Sequence, residues 1–201
     1  TGLDRDRFRP LAHPQLRRQL TRELGLRLPD AAPLLVSVGA LIERKGQAIA
    51  IAALADLPEA RLVLVGKGED EARLRARAAG LAERVLFAGV IDHDVMPLLL
   101  SAADVMVLPS ADEGLANAWV EALACGTPVV TCDVGGAREL ITSEVAGRLV
   151  ARTPEAVAEG VRALLASPPP REAVAALADG FSWQANAAAL AAHYEGLVAR
   201  A

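Results

Sequence analysis

The chain predicts a doubly wound α/β fold on a six-stranded parallel sheet, and three observations carry that expectation. Six short apolar runs recur as far as residue 150: LLVSV at 34–38, RLVLV at 61–65, RVLFA at 84–88, DVMVL at 104–108, PVVTC at 128–132 and GRLV at 147–150. The runs are continuous rather than alternating, the pattern of strands covered on both faces. Their starts lie about 19 to 27 residues apart, which leaves room for one crossover helix each and implies right-handed β-α-β units.

Each remaining element follows in order. HPQLRRQLTRELG at 13–25 reads as a first helix behind the segment TGLDRDRFRP. Between the strands, helices are expected at 46–56, 69–80, 93–102, 116–125 and, briefly, 135–141. Beyond residue 152 the strand runs stop, and helices at 154–166, 171–178 and 182–199 close the chain. SPPP at 167–170 stops a helix and is not a domain linker, because the segment after it is too short to form a core alone. The expectation is one domain over 1–201: connector and first helix at 1–32, sheet core at 33–151, C-terminal helices at 152–201.

Composition bounds the function. With 201 residues, 53% hydrophobic and 23% charged, a chain of this size buries roughly 70% of its unfolded surface and needs no disulfide or metal to hold it. Cys125 and Cys132 lie in apolar runs and read as reduced core residues, which points to a cytoplasmic protein. A net charge of −4 and a pI near 5.4 argue against a protein that coats nucleic acid. No apolar run approaches the 18 or more residues of a membrane span, and no signal-peptide pattern opens the sequence. TGLDRDRFRP has no initiator Met and reads as a polar connector, so a piece of something longer is expected.

In an open parallel sheet, ligands bind outside the carboxyl ends of the strands, which directs attention to the loops that come after each strand. GALIERKGQ holds Gly39, Arg44, Lys45 and Gly46. A glycine-bounded loop with adjacent cations feeding a helix suits a phosphate; a solvated loop with ordinary charges is the alternative. GKGED, with Gly66, Lys67 and Gly68, begins like a dinucleotide fingerprint, but position 71 is Glu, and the third glycine is missing. No P-loop sequence occurs anywhere. GVIDHD ends in the cap region at Asp92, with His93 expected as an exposed first-turn residue. Gly135 and Gly136 in DVGGAREL serve a tight turn or a second contact with ligand.

The richest stretch is PSADEGLANAWVEALACGTPVV, residues 109–130, which spaces Glu113 and Glu121 by seven residues. The helix expected from Ala116 or Asn117 exposes unpaired N–H groups, and Gly114 lets a ligand come close to the backbone. Glu121, one turn in, can accept hydrogen bonds from two vicinal hydroxyls such as those of a ribose. Glu113 faces the space outside the helix start, where a sugar joined to a phosphate would lie. A helix-surface acid near the positive dipole end is the alternative for Glu121.

SVGALIERKG, VLVGKGE, VLFAGVI, ADVMVLPSADEGLANAWVEALACGTPVVTCDVGGARELI and GRLV occur in the order and spacing of the group 1 retaining glycosyltransferases of GT-B fold, and the sequence resembles that family over roughly its whole length. Its most specific element is Glu113 to Glu121. The resemblance implies the C-terminal, Rossmann-like, nucleotide-sugar-binding half of a two-domain enzyme, with the acceptor-binding domain not included. It implies that Lys45 pairs with the donor diphosphate, Glu121 holds the ribose and Glu113 contacts the donor sugar. Backbone groups at Gly114, Leu115 and Ala116 would meet the sugar and distal phosphate, with the base near Val90. Gly39, Ala40, Gly66, Lys67 and Asn117 complete the expected lining, and Lys45, Arg44 and Glu113 are the expected catalytic groups.

One departure concerns Ala40, where the family commonly has Arg; Arg44 is the candidate to supply that charge. The chemistry implied is transfer of a glycosyl group from a nucleoside diphosphate to an acceptor hydroxyl with retention, needing no cofactor and no metal. Usage rich in Ala and Arg suggests a bacterial source. Membrane contact, if any, would come only through the other domain. The rival readings are a non-catalytic nucleotide-binding or interaction module, kept open by Ala40, and an NAD-type oxidoreductase domain, against which the incomplete GKGEDE counts. Phe181, Trp183, Ala187, Leu190, Tyr194 and Leu197 fall at helical spacings; that face packs on its own domain or stays exposed and supports a homodimer.

Overall fold

A computed structural model of the chain describes residues 2–11, 15–81 and 83–198. Six strands, β1 (Leu34–Val38), β2 (Arg61–Val65), β3 (Val85–Gly89), β4 (Val105–Leu108), β5 (Val129–Cys132) and β6 (Gly147–Val150), form one sheet in the order β3-β2-β1-β4-β5-β6. Every neighbouring pair is parallel. The doubly wound expectation therefore holds.

Three strands begin one residue later than their apolar runs suggest, and each offset has a cause. Arg84 is spent as an anchor, its guanidinium donating to the carbonyls of Leu54, Leu57 and Pro58. Asp104 caps the sheet entrance: its Oδ2 accepts from the Leu34 N–H at 2.7 Å and from Arg17 at 2.8 Å. Pro128 has no N–H to give the ladder, though its carbonyl accepts from Met106.

The connecting helices are α1 (Leu16–Leu24), α2 (Gln47–Ala53), α3 (Glu71–Arg77), α4 (Met96–Ala102), α5 (Asn117–Ala124) and α6 (Ala137–Leu140), followed by α7 (Pro154–Ala166), α8 (Arg171–Ala176) and α9 (Trp183–Val198). The parts of the first and last expected helices at 13–14 and 199 lie outside the described residues. Local chemistry trims several others. A left-handed Gly25 ends α1, 3-10 turns at Leu54–Asp56 and Ala79–Leu81 follow α2 and α3, and the Thr153 hydroxyl accepts the Ala156 N–H at the start of α7.

Because side chains alternate along a strand, the two faces of the sheet carry separate cores. Leu34, Val36, Val63, Val65, Met106 and Leu108 point to one face, with Leu20 of α1, Leu99 of α4, Trp119 of α5 and Val174 of α8. Leu35, Leu62, Leu64, Val105, Val107 and Val130 point to the other, with Ile51 of α2, Leu74 of α3 and Val161 of α7. Cys125 and Cys132 are free, buried thiols, and burial pushes the Cys125 thiol up to about 12.

At the ends one sequence expectation changes and one of two alternatives is realised. The first residues are no loose polar connector. Phe8 is 1% exposed within the first core, the Leu3 N–H donates to the Phe181 carbonyl at 2.7 Å, and Ser101 bonds both Arg9 and Leu11. The last helix, by contrast, buries nothing: α9 has no buried residue, and Trp183, Leu190, Tyr194 and Leu197 are all exposed. Of the residues read as its apolar face, Phe181 is the one packed against the core.

The chain order turns back between β1 and β4, so the loops after these two strands lie side by side at the carboxyl edge. Leu62→Ala in the second core, where Leu62 is fully buried, is expected to cost about 2–5 kcal/mol of stability. Urea unfolding would read this as a lower midpoint at unchanged slope.

Candidate functional site

Residues 39–46 leave β1 through a 3-10 turn at Glu43–Lys45 and enter α2 behind Gly46. Residues 109–116 leave β4 and enter α5. The two loops are stitched together. The Ala111 N–H donates to the Arg44 carbonyl at 2.8 Å, and the Arg44 guanidinium donates to the Asp112 carbonyl at 2.6 Å. Gly46 sits in left-handed backbone, and a side chain there would meet the Pro109 carbonyl oxygen at 2.2 Å. From beyond β6, Arg152 donates to the carbonyls of Pro109 and Glu43, each at 3.0 Å.

Across this seam Lys45 Nζ and Glu113 Oε1 form an ion pair at 2.5 Å. The Ser110 hydroxyl donates to the same oxygen at 2.8 Å, and Glu113 Oε2 accepts from no described residue. The side chains of Lys45 and Glu113 are 16% and 7% exposed. A cation and an anion are thus held, largely out of water, at the point where the strand order reverses.

The start of α5 lies beside them. Ala116 caps the helix with extended backbone and no side-chain hydrogen bond, and among the described residues no protein group accepts from the N–H groups of Gly114 through Ala118. Gly114 has no atom within 4 Å of where a side chain would start, and its φ is not positive. Nothing within the fold demands a glycine there, and the open space leaves the backbone approachable. Asn117 is exposed at the first helical position.

Glu121 does not join the Glu113 cluster. It faces the loop after β3, where its Oε1 lies 3.8 Å from His93 Nε2, an ion-pair separation too long for a hydrogen bond. Burial pushes the pKa of its carboxyl above the ordinary carboxylate value, and His93 and Arg7 oppose that rise. His93 stands in the turn before α4 and not, as expected, in the first turn of the helix, and its ring lies 5.1 Å from that of Phe8. Val90 is 68% exposed on the same loop.

The glycines are explained by backbone packing, for Gly135 and Gly136 the tight-turn alternative of the sequence reading. Gly66 faces the Gly39 carbonyl, where a side chain would come within 2.0 Å, and Gly68 faces the Leu41 carbonyl at 2.2 Å. Gly135 stands in left-handed backbone against the Glu113 carbonyl at 1.7 Å, and the Gly136 N–H donates to the Gly114 carbonyl at 3.0 Å. These glycines let adjacent loops lie backbone to backbone. Lys67 and Ala40 are exposed; the Lys67 carbonyl accepts from Leu41 and the Ala40 carbonyl from Gln47 Nε2. Leu115 lies against Gly136.

Sequence reasoning missed Ser110, Arg152, Arg7 and Phe8. The Pro-Ser step before Glu113 was the available signal for Ser110; the others act from remote positions. Two Asp-x-Asp triplets, Asp4–Asp6 and Asp92–Asp94, also occur. Each uses its first carboxylate to close its own turn, Asp4 on Asp6 and Arg7 and Asp92 on Asp94. A cleft of about 680 Å³ lies beside the start of β2, lined by Arg18, Arg61 and Glu83 among others, and shares no residue with this site. Among the described residues no helix is long and apolar enough to cross a membrane.

The switch point of a parallel sheet is where ligands of such folds generally bind, and a cation beside unpaired helix amides suits an anionic group in general. The chain belongs to the family described as glycosyl transferases group 1, whose model matches residues 24–179. A 2-deoxystreptamine N-acetyl-D-glucosaminyltransferase of Streptomyces fradiae is 38% identical over 72% of this chain and 35% of its own length. A 2-deoxystreptamine glucosyltransferase of Streptomyces kanamyceticus is 33% identical over 97% of this chain and 53% of its own. The chain thus spans about a third to a half of these relatives. Among solved structures, sucrose-phosphate synthase from Thermosynechococcus elongatus superposes with a TM-score of 0.80 at 34% identity, covering 100% of this chain and 52% of that one. Anabaena Alr3699/HepE, in complex with UDP-glucose, gives 0.78 at 28% identity over 90% of this chain and 52% of its own.

Gly135→Ala tests the seam. The added methyl has no room against the Glu113 carbonyl, and a cost of about 1–3 kcal/mol is expected. Gly80→Ala, with nothing within 4 Å, is expected to stay within about 0.5 kcal/mol of the parent. Thermal unfolding of both would check it.

Proposed function

We propose that this chain is the donor-binding half of a retaining glycosyltransferase that moves a sugar from a nucleoside diphosphate to an acceptor hydroxyl. The observation that carries the reading is the Lys45–Glu113 pair beside the acceptor-free amides of Gly114–Ala118. Phosphate oxygens are the ligand atoms that satisfy fixed N–H donors and an ammonium together. The UDP-glucose held by the 28%-identical Anabaena protein supports a nucleotide sugar as donor.

In this reading Lys45 leaves Glu113 for the diphosphate as the donor arrives, and Glu113 turns its free oxygen to a sugar hydroxyl. Glu121 takes the ribose, with the base against Val90 after β3. Gly39, Ala40, Gly66 and Lys67 form the floor under the phosphates, and Leu115, Ala116 and Asn117 the opposite wall. Charge builds on the leaving diphosphate in the transition state, so a preorganised ammonium and helix amides stabilise that state more than the ground state. Arg44 serves by holding the 109–116 loop in place, since its guanidinium is bonded to Asp112. No step requires a metal or a further cofactor. The acceptor would be supplied by a second domain of the kind the longer relatives have room for, with α9 free to meet it or a second copy of this chain.

Two experiments test the proposal. Calorimetry with UDP, GDP and ADP and their glucose or mannose derivatives is expected to show weak binding of one nucleotide and no sugar transfer by this chain alone; robust turnover would contradict the half-enzyme reading. Glu113→Gln is expected to leave nucleoside diphosphate affinity equal or stronger, because Lys45 is released, while removing the added affinity of the sugar-bearing form. Lys45→Ala is expected to weaken both by about 1.5–3 kcal/mol, the worth of a charge-assisted hydrogen bond. Unchanged binding in both variants would sink the assignment.

A further inference from the structure

The segment that enters the domain is fastened to the loop before α4 at two successive residues. Arg7 pairs with Asp94, and the buried Phe8 lays its ring against His93 at 5.1 Å and a 59° tilt. Asp94 belongs to the turn closed by Asp92 Oδ1, so both fastenings act on one short, shaped piece of backbone. His93 in turn stands 3.8 Å from Glu121. Its side chain is 57% exposed, so on one side the imidazole borders water and on the other the Phe8 ring limits its rotamers.

We propose that Phe8 and His93 are positioning residues for Glu121, holding one carboxylate oxygen so that the other meets the ribose hydroxyls of the donor. This rests on the ribose role given to Glu121 above. A carboxylate accepts two hydroxyl hydrogen bonds best when ionised, yet Glu121 is largely shielded and burial favours its neutral form. The charged and titratable groups facing it are His93 from the loop after β3, Arg7 from the entering segment and Cys125 just past the end of α5. Cys125 is a neutral thiol, and Asp94 is matched by Arg7. Beside Arg7, His93 is the neighbour that favours the ionised carboxylate. Removing it raises the Glu121 pKa further, so ribose recognition fails at a higher pH as the solution is acidified.

The test compares a nucleoside diphosphate, its 2′-deoxy and 3′-deoxy forms, and inorganic pyrophosphate, by calorimetry between about pH 5.5 and about pH 8.5. The wild-type chain is expected to prefer the ribose form about tenfold, the equivalent of one hydrogen bond to a charged group. His93→Ala is expected to cut that preference to about twofold or less and to shift its acid limb to higher pH, with pyrophosphate affinity unchanged. Phe8→Leu, which keeps an apolar plug but removes the ring, is expected to move in the same direction. If Glu121→Gln abolishes the preference while His93→Ala and Phe8→Leu keep it together with its acid limb, the positioning role is overturned and the ribose role survives. If the wild type shows no preference, or Glu121→Gln retains it, the ribose role of Glu121 falls and this inference falls with it.

Discussion

The ion pair between Lys45 and Glu113 is the interaction around which the carboxyl edge is organised. It spans the point where strand order reverses, and most of its side-chain surface is removed from water. Desolvating an ammonium is the costly step in building an anion site. Here the fold has met that cost in advance, with Glu113 as the counterion and Ser110 fixing Glu113. Everything near the pair serves its geometry: Arg152 and Arg44 tie the two loops, and glycines on either side admit the backbones to contact. Within the half-enzyme reading, exchange of one anion for another is then a rearrangement among fixed partners rather than the assembly of a site.

The sheet was legible because burial on both faces leaves an unbroken apolar run, and six such runs became six strands. Errors of one residue arose where a polar or proline residue at the head of a run does another job, as Arg84, Asp104 and Pro128 do. Glu113 and Lys45 were found individually from loop chemistry. Their direct pairing was not, because 68 residues separate them and no local pattern encodes which rotamers meet. The glycines were legible as special backbone but not as to what approaches them. Gly66 was expected in a ligand lining and Gly135 in a tight turn or a ligand contact, and at both the nearest atoms belong to the next loop. Gly114 alone among the three keeps open space, a distinction that spacing cannot express. His93 was placed on the correct loop, but its neighbours Phe8 and Glu121 come from opposite directions of the chain.

Ala40 illustrates how a family pattern and a fold separate. The loop keeps its shape through backbone atoms, with the Ala40 carbonyl bonded to Gln47 and the Leu41 N–H to Lys67. The exposed methyl at Ala40 therefore leaves the architecture intact, and within the half-enzyme reading it bears on the charge offered to the ligand. The bare apolar side of α9 is a similar case. Its regular spacing was visible in the sequence, whereas the absence of a surface in this domain to cover it became visible only in three dimensions.

Leu3 bonds to Phe181 on one side and receives the Trp183 N–H on the other, so the strand of chain leading in and the one leading out travel as a laced pair. A rigid module joined through either of them would swing about a single narrow pivot instead of two separate tethers.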